Sequence, residues 1–309
     1  MTVYIFPLIL TLVTSATSEA FEVDKLKQNL ILTAKYLSED IGQRSYLDVE
    51  RLNRTADYIE DKFRSYGCDS KRQPFEYLGN TYYNVYCEIK GAGNPKDGIL
   101  VIGAHYDTVT GTPGADDNAS GIAGIIELAR LTVSKPLQRT VRFVAFTLEE
   151  PPIFMTKHMG SYIYAKSLKD EEIKVYGMIS LEMLGYYSNR KGSQYYPFPI
   201  FKWFYPDKGN FIAFVGNLSS RSFTMRVKKL FKSVSAMPVE SLNAVSIIPG
   251  VNFSDHLNFW EFGYSAFMIT DTAFYRNPNY HAPGDIAETL DYDRMTELVI
   301  GLYKAIGSL

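Results

Sequence analysis

The sequence predicts an α/β fold, a single domain with a mostly parallel, mixed central sheet flanked by helices. Three observations carry that expectation. Ile99–Ala104 is a continuous apolar run, as in a strand covered on both faces. Later apolar runs alternate with stretches of helical period, the pattern of parallel strands joined by helical crossovers. No linker, internal repeat or low-complexity tract divides the 309 residues, a length that alone permits one large domain or two modest ones.

Along the chain, residues 1–20 read as a signal peptide. Met1–Thr17 carries no charge, and its apolar core, Val3–Val13, is too short to cross a bilayer of roughly 30 Å as a stable helix. Ser18 and Ala20 are small residues at the positions a signal peptidase reads. The segment before the apolar core lacks Lys and Arg, which leaves a buried N-terminal segment or a retained anchor as the competing reading. Residues 21–309 are then the mature domain of a secreted or periplasmic protein, with no stable membrane insertion after cleavage.

Leu26, Leu30, Ala34, Leu37 and Ile41, then Leu52, Ala56, Ile59 and Phe63, recur at helical spacing and predict two helices between Glu22 and Tyr66. Gln73–Tyr77 and Tyr82–Ile89 flank Gly79-Asn80 and predict an antiparallel pair at a sheet edge. Further strands are expected at Val141–Thr147, Val175–Met183, Phe211–Val215 and Ala266–Thr270. The helices between them fall at Ser120–Leu131, Gly160–Leu168, Ser220–Ser233 and Leu290–Ile306. Ser188–Gly209, rich in Tyr, Phe and Pro and containing Trp203 and Tyr205, reads as a long loop near the site. Its aromatics either line a pocket for apolar side chains or pack on the domain surface. Cys68 and Cys87 flank the predicted hairpin. They would pair in an oxidising compartment if their Cα atoms lie within about 7 Å, and two independent thiols fit as well.

Thirty-four acidic against 32 basic residues leave a net charge of −2, no global field that would recruit nucleic acid or an anionic membrane. Chemistry is concentrated in a few strand-end clusters and one loop. Gly103-Ala104-His105-Tyr106-Asp107 follows the apolar strand, at the edge where open α/β sheets build their sites. Asp107 lies on the same side of an extended chain as His105 and could fix its tautomer, though alone the tripeptide better suits a hydrogen-bonded structural histidine. Gly114-Ala115-Asp116-Asp117-Asn118-Ala119-Ser120-Gly121 opens a helix; capping explains one of its polar residues but not all. A carboxylate there has two oxygens with which to bridge two ions about 3.5 to 4 Å apart. Glu149-Glu150-Pro151-Pro152 ends a buried strand with two carboxylates on opposite sides, where one can bind metal and the other move a proton. Glu182, in Ser180-Leu181-Glu182-Met183, is a carboxylate within an apolar strand and needs a metal, Arg or Lys as partner. His281 lies in Asn277-Pro278-Asn279-Tyr280-His281-Ala282-Pro283-Gly284-Asp285, a loop rich in breakers. His158 reads as structural, and His256, in Ser254-Asp255-His256, is open between a structural role and a place near substrate.

Together, GAHYDT, PGADDNASG, LEEPP, SLEM, SDH and NPNYHAPGD resemble, in their order, the motifs of metallopeptidase family 28, the co-catalytic dizinc aminopeptidases and their relatives. The likeness spans nearly the whole mature chain. It implies two zinc ions per chain, one held by His105 and Glu182, the other by Glu150 and His281, with Asp117 rather than Asp116 between them. It implies Glu149 as the general base, Asp107 as the group orienting His105, and Tyr280 as an oxyanion stabiliser. Many relatives have Asp where this chain has Glu182; either binds zinc through oxygen. The implied activity is removal of residues from a peptide with a free N-terminus by the catalytic domain, residues 21–309. Carboxypeptidase and dipeptidase specificities share the same metal core.

Two rivals share the fold: a glutaminyl cyclase, which uses a single zinc, and a receptor-like module without metals. The intact ligand set favours the peptidase. Neither a Gly-x-Ser-x-Gly elbow nor a His-Glu-x-x-His helix occurs, which excludes those two hydrolase plans. Sequons at Asn53, Asn217 and Asn252 can take glycans; the fourth, at Asn118, falls in the metal motif, where a glycan would not fit.

Overall fold

The apolar run after Gly98 becomes strand β3 (Ile99–His105), at the middle of an eight-stranded sheet. The other strands are β1 (Ser70–Tyr77), β2 (Asn80–Ile89), β4 (Val141–Phe146), β5 (Val175–Glu182), β6 (Ile212–Gly216), β7 (Val239–Asn243) and β8 (Ala266–Thr270), in spatial order β1-β2-β4-β3-β5-β8-β6-β7. The central four, β4-β3-β5-β8, are parallel. The β1–β2 hairpin joins antiparallel at one edge, and β6 joins β8 antiparallel at the other. The computed structural model describes the backbone from Phe6 to Leu309 and the side chains from Ala20 onward. Of the leader expected over residues 1–20, the backbone of residues 1–5 and the side chains of residues 1–19 lie outside the described residues. Among the described residues no helix is long and apolar enough to cross a membrane.

Strand alternation builds two apolar layers from one sheet. Leu100, Ile102 and Ala104 of β3 enter one core cluster, while Val101 enters the other. The larger layer receives α1 (Phe6–Lys35), α2 (Val49–Ser65), α3 (Gly121–Ser134), α5 (Arg221–Val234) and α7 (Tyr292–Ile306). The smaller receives α4 (Gly160–Asp170) and α6 (His256–Glu261). Leu26, Leu30, Ala34, Leu37, Ile41, Leu52, Ala56, Ile59 and Phe63, the residues that set the helical period, are all buried. The helix starting near Ser120 begins instead at Gly121, because Ala115–Ser120 forms a wider turn in which Asp117 and Asn118 leave helical geometry. Strand β7 and helix α6 have no counterpart among the expected elements.

Cys68 and Cys87 form a disulfide with Cα atoms 5.8 Å apart. Ser70 stands opposite Cys87 in the hairpin register, which brings Cys68, just before β1, alongside.

Candidate metal centre

Three neighbouring parallel strands deliver three of the expected ligands at their carboxyl ends. His105 is the last residue of β3, Glu182 the last of β5, and Glu150 follows β4. Asp117 comes from the turn after β3 and His281 from the loop after β8. All five converge. His105 Nε2 lies 3.2 Å from Asp117 Oδ1 and 3.4 Å from Glu182 Oε2. His281 Nε2 lies 3.2 Å from Asp117 Oδ2 and 3.2 Å from Glu150 Oε2. Asp117 thus turns one oxygen toward each of two ligand groups, His105-Asp117-Glu182 and Asp117-Glu150-His281, each with its donor atoms within 4.8 Å of one another. A third group, His105-Glu149-Glu150, meets the same distance, so Glu149 stands between one member of each of the other two. Leu148, Met183 and His281 have positive φ, so the chain turns sharply at or beside three of these residues. For such side chains the left-handed region costs about 1–2 kcal/mol, which the surrounding contacts must offset.

The choice between the adjacent aspartates is decided by tertiary contacts. Asp116 faces away: its oxygens accept from Gly185 N at 2.8 Å and Asn277 Nδ2 at 2.8 Å. Two further carboxylates hold the ligand loops by their backbone. Asp107 accepts from Glu149 N at 3.1 Å and Glu150 N at 3.0 Å, with its Oδ1 3.6 Å from His105 Nδ1. Asp285 does the same for the other loop, accepting from Asp116 N at 2.8 Å and Asp117 N at 3.1 Å. Ser254 Oγ donates to Glu182 Oε2 at 2.7 Å. Of the Ser254-Asp255-His256 motif it is therefore the serine that touches a ligand. His256 is fully buried and donates from Nε2 to the Val251 carbonyl, away from the ligand groups. His158 is exposed, its ring 5.0 Å from that of Tyr77. Asn118 is buried and bonded to Leu181 O and Met183 N, which excludes a glycan there.

Beneath these loops sits Arg44, fully buried. Its guanidinium donates to the carbonyls of Tyr106, Leu37, Gly42, Pro113 and Gly114 at 2.7–2.9 Å. It ties the N-terminal helical segment to both the His105 loop and the Asp117 loop, and burial lowers its pKa to about 10, so it stays charged at neutral pH.

The electrostatics are those of a site short of positive charge. Burial pushes Glu150 up to about 8, with Asp117 adding to the shift. It raises Glu182, and lifts Glu149 well above the usual carboxylate range despite the attraction of His105. Burial disfavours the charged form of His281, but its contacts with Asp117 and Glu150 override this and carry it up to about 10. His105 is raised for the same reason, by Glu182 and Glu149 among others. Asp117 is pulled below its ordinary value, against burial, by the two histidines. Glu150 Oε1 is buried without a hydrogen-bond partner. So many buried carboxylates against two histidines call for added cations.

An open cavity lies beside Glu182 and Tyr280. Its walls are largely apolar and include Phe211, Met268 and Phe274, together with Tyr196, Phe201 and Tyr205 of the 188–209 segment. That segment does both things its composition allowed, since Trp203 points outward at 83% exposure. The Tyr280 ring stacks on His281 with centroids 3.8 Å apart, at the boundary between cavity and ligand groups.

The model of the family described as peptidase family M28 matches residues 84–303. The chain belongs to peptidase family M28. As an M28 protein it is a peptide hydrolase. It is similar to the uncharacterized protein YfbL of Escherichia coli K12, with 43% identity over 89% of this chain and 86% of that one. It is also similar to aminopeptidase YwaD of Bacillus subtilis, with 28% identity over 67% of this chain and 41% of the relative. Among solved structures, a zinc aminopeptidase from Bacillus subtilis shares the fold at a TM-score of 0.71, with 18% identity and coverage of 91% and 94% of the two chains. A glutaminyl cyclase from Bacteroides thetaiotaomicron shares it at a TM-score of 0.69, with 16% identity and coverage of 92% and 98%.

Proposed function

We propose that this peptidase is a two-zinc aminopeptidase acting on peptides with a free N-terminus. One observation carries the reading: Asp117 reaches both ligand groups, and Glu149 stands beside them without belonging to the pair that Asp117 joins. The nitrogen and oxygen donors suit zinc, and the unpartnered Glu150 Oε1 is one atom such an ion would satisfy. His105, Asp117 and Glu182 would hold one ion, and Asp117, Glu150 and His281 the other. Bound there, the ions supply Lewis-acid polarisation of the scissile carbonyl and raise the acidity of the attacking water.

Glu149 takes the proton from that water and returns it to the leaving amine. Its buried position favours taking up the proton, because withdrawal from water raises the proton affinity of a carboxylate. Tyr280, at the cavity boundary, donates to the tetrahedral oxyanion. The cavity takes the first side chain of the substrate, and the carboxylate excess suits its α-ammonium group. Similarity to a zinc aminopeptidase from Bacillus subtilis and to leucine aminopeptidase 2 of Trichophyton rubrum supports this reading. The Cys68–Cys87 bond supports a secreted or periplasmic location.

The test is hydrolysis of leucyl anilide by the zinc-loaded protein, with N-acetyl-leucyl anilide and an N-terminal glutaminyl peptide alongside. The free anilide is cleaved, and Glu149→Gln lowers kcat by at least about 100-fold at unchanged zinc content, in line with loss of a general base. Cleavage of the acetylated anilide, or cyclisation of the glutaminyl peptide alone, overturns the assignment.

A further inference from the structure

We propose that the outward face of Phe198–Phe204 docks this protein on an anionic phospholipid surface. The segment sorts its side chains to two sides. Tyr196, Phe201 and Tyr205 turn toward the cavity, and the phenols of Tyr196 and Tyr205 donate to the carbonyls of Pro206 and Ser241. Phe198, Ile200, Trp203 and Phe204 turn outward at 47%, 54%, 83% and 73% exposure. A short helical turn, Pro199–Trp203, fixes this division, so the exposed apolar groups are held on a shaped surface. An apolar cluster of this kind, standing in water, marks a binding surface.

The charges around it select the occupant. Arg190, Lys191, Lys202 and Lys208 are exposed, and Asp207 is the one acidic residue between Ser188 and Gly209. Along this segment four exposed cations thus stand against one acid, while Glu240, near Tyr196 and Tyr205 on the cavity side, lies 3.7 Å from Lys228 Nζ. Lys and Arg interleaved with Trp, Phe and Ile is the composition of a surface that lies in a membrane interface, cations at the headgroups and apolar rings just below them. The cores of protein–protein interfaces are depleted in Lys, and the exposed Lys202 falls between Ile200 and Trp203 in the sequence of this turn. Docking here is peripheral and does not depend on a spanning helix. The cavity wall is the reverse side of the same segment, so the docked enzyme would hold its substrate cavity near the bilayer.

The experiment uses the full zinc-loaded chain with vesicles of phosphatidylglycerol and phosphatidylcholine at equal proportions, and with pure phosphatidylcholine vesicles. Of the two tryptophans, Trp203 is exposed, whereas Trp260 is partly buried with its indole N–H bonded to Ala266 O. A blue shift on adding anionic vesicles, reversed by salt and absent in Trp203→Phe, reports Trp203 entering the interface. Cosedimentation compares the parent with Trp203→Ser/Phe204→Ser and with Lys202→Gln/Lys208→Gln. At roughly fivefold per cation, the second pair lowers partitioning about 25-fold. Both variants keep their hydrolysis of the soluble anilide, which reports an intact fold. Because residues 1–20 can bind lipid by themselves, the result lies in the difference between parent and variants. Equal partitioning of parent and both variants overturns the proposal. So does a parent that is dimeric without lipid and becomes monomeric in Trp203→Ser/Phe204→Ser, which would assign the face to a second copy.

Discussion

Replacing Arg44 by Met keeps most of the buried stem and removes a charged fork that holds three segments together. Five carbonyls lose a donor. Leu37 O and Gly114 O retain backbone donors, Gly42 N and Ala119 N, so their loss is partial. Gly42 O and Pro113 O are bonded at part-buried sites that water can reach after the change. Tyr106 O is bonded at a buried site and is left without its donor. One stranded buried acceptor costs about 1–3 kcal/mol, and the weakened bonds at the other four bring the total to roughly 3–5 kcal/mol. The lost positive charge adds to this, since Asp285, Asp107, Asp117 and Glu150 all feel it. At about 2–4 °C per kcal/mol for a domain of this size class, the zinc-free protein should melt some 6 °C or more below the parent. Saturating zinc should raise parent and variant alike through binding to the native state alone, by about 2.7 kcal/mol per site at a hundredfold excess over Kd. Thermal unfolding with and without zinc measures both quantities, and Arg44→Lys, which keeps charge but not the fork, should fall between. A loss below about 1 kcal/mol in Arg44→Met would refute the reasoning, because Tyr106 O alone accounts for that much.

Ser254→Ala removes the donor to Glu182, and zinc affinity at the His105-Glu182 group should fall about 10–100-fold with little change at the other, as titration with a competing chelator would register. An unchanged pair of affinities contradicts the role given to Ser254. His256, lowered by burial to about 4, is neutral in the native state, whereas the unfolded chain takes up its proton near 6.5. Its contribution is therefore complete above about pH 6.5 and is lost as the pH falls toward 4, on the order of 3 kcal/mol in all. Asp255, raised to about 7, shifts stability in the opposite sense over the same range. The readout is accordingly the difference between the parent and His256→Gln in urea denaturation from pH 7 to 4. The variant should have the shallower acid-side decline, and parallel curves would refute the assignment.

Much of the fold was legible because burial is written in local periodicity. The spacing from Leu26 to Phe63 marks two helix faces, and Ile99–Ala104 marks a central strand, before any tertiary contact is known. Strand β7 escaped because Val239–Asn243 is an edge strand paired only with β6 and mostly half-buried, so it needs no apolar run. Helix α6, at six residues, is too short to show a period. The candidate site was legible as a set of residue types at strand ends, but its internal order was not. Asp117 and Asp116 are adjacent and chemically alike, and what separates them is Gly185 and Asn277, far away in sequence. Arg44, Ser254 and Asp285 carry no role in the sequence reading for a similar reason: nothing local marks a polar residue in an irregular stretch as buried, and burial comes only from the segments that close over them. The disulfide depended on hairpin register, which fixes the distance between Cys68 and Cys87 where their spacing in sequence does not.

The central claim is that one carboxylate, Asp117, joins two metal sites. Crystals of the purified protein grown with zinc and measured on both sides of the zinc absorption edge test it directly. The account predicts two anomalous peaks, one among His105, Asp117 and Glu182 and one among Asp117, Glu150 and His281, with an oxygen of Asp117 at each and Glu149 bound to neither. A single peak, or Glu149 as a ligand in place of Asp117, would contradict it.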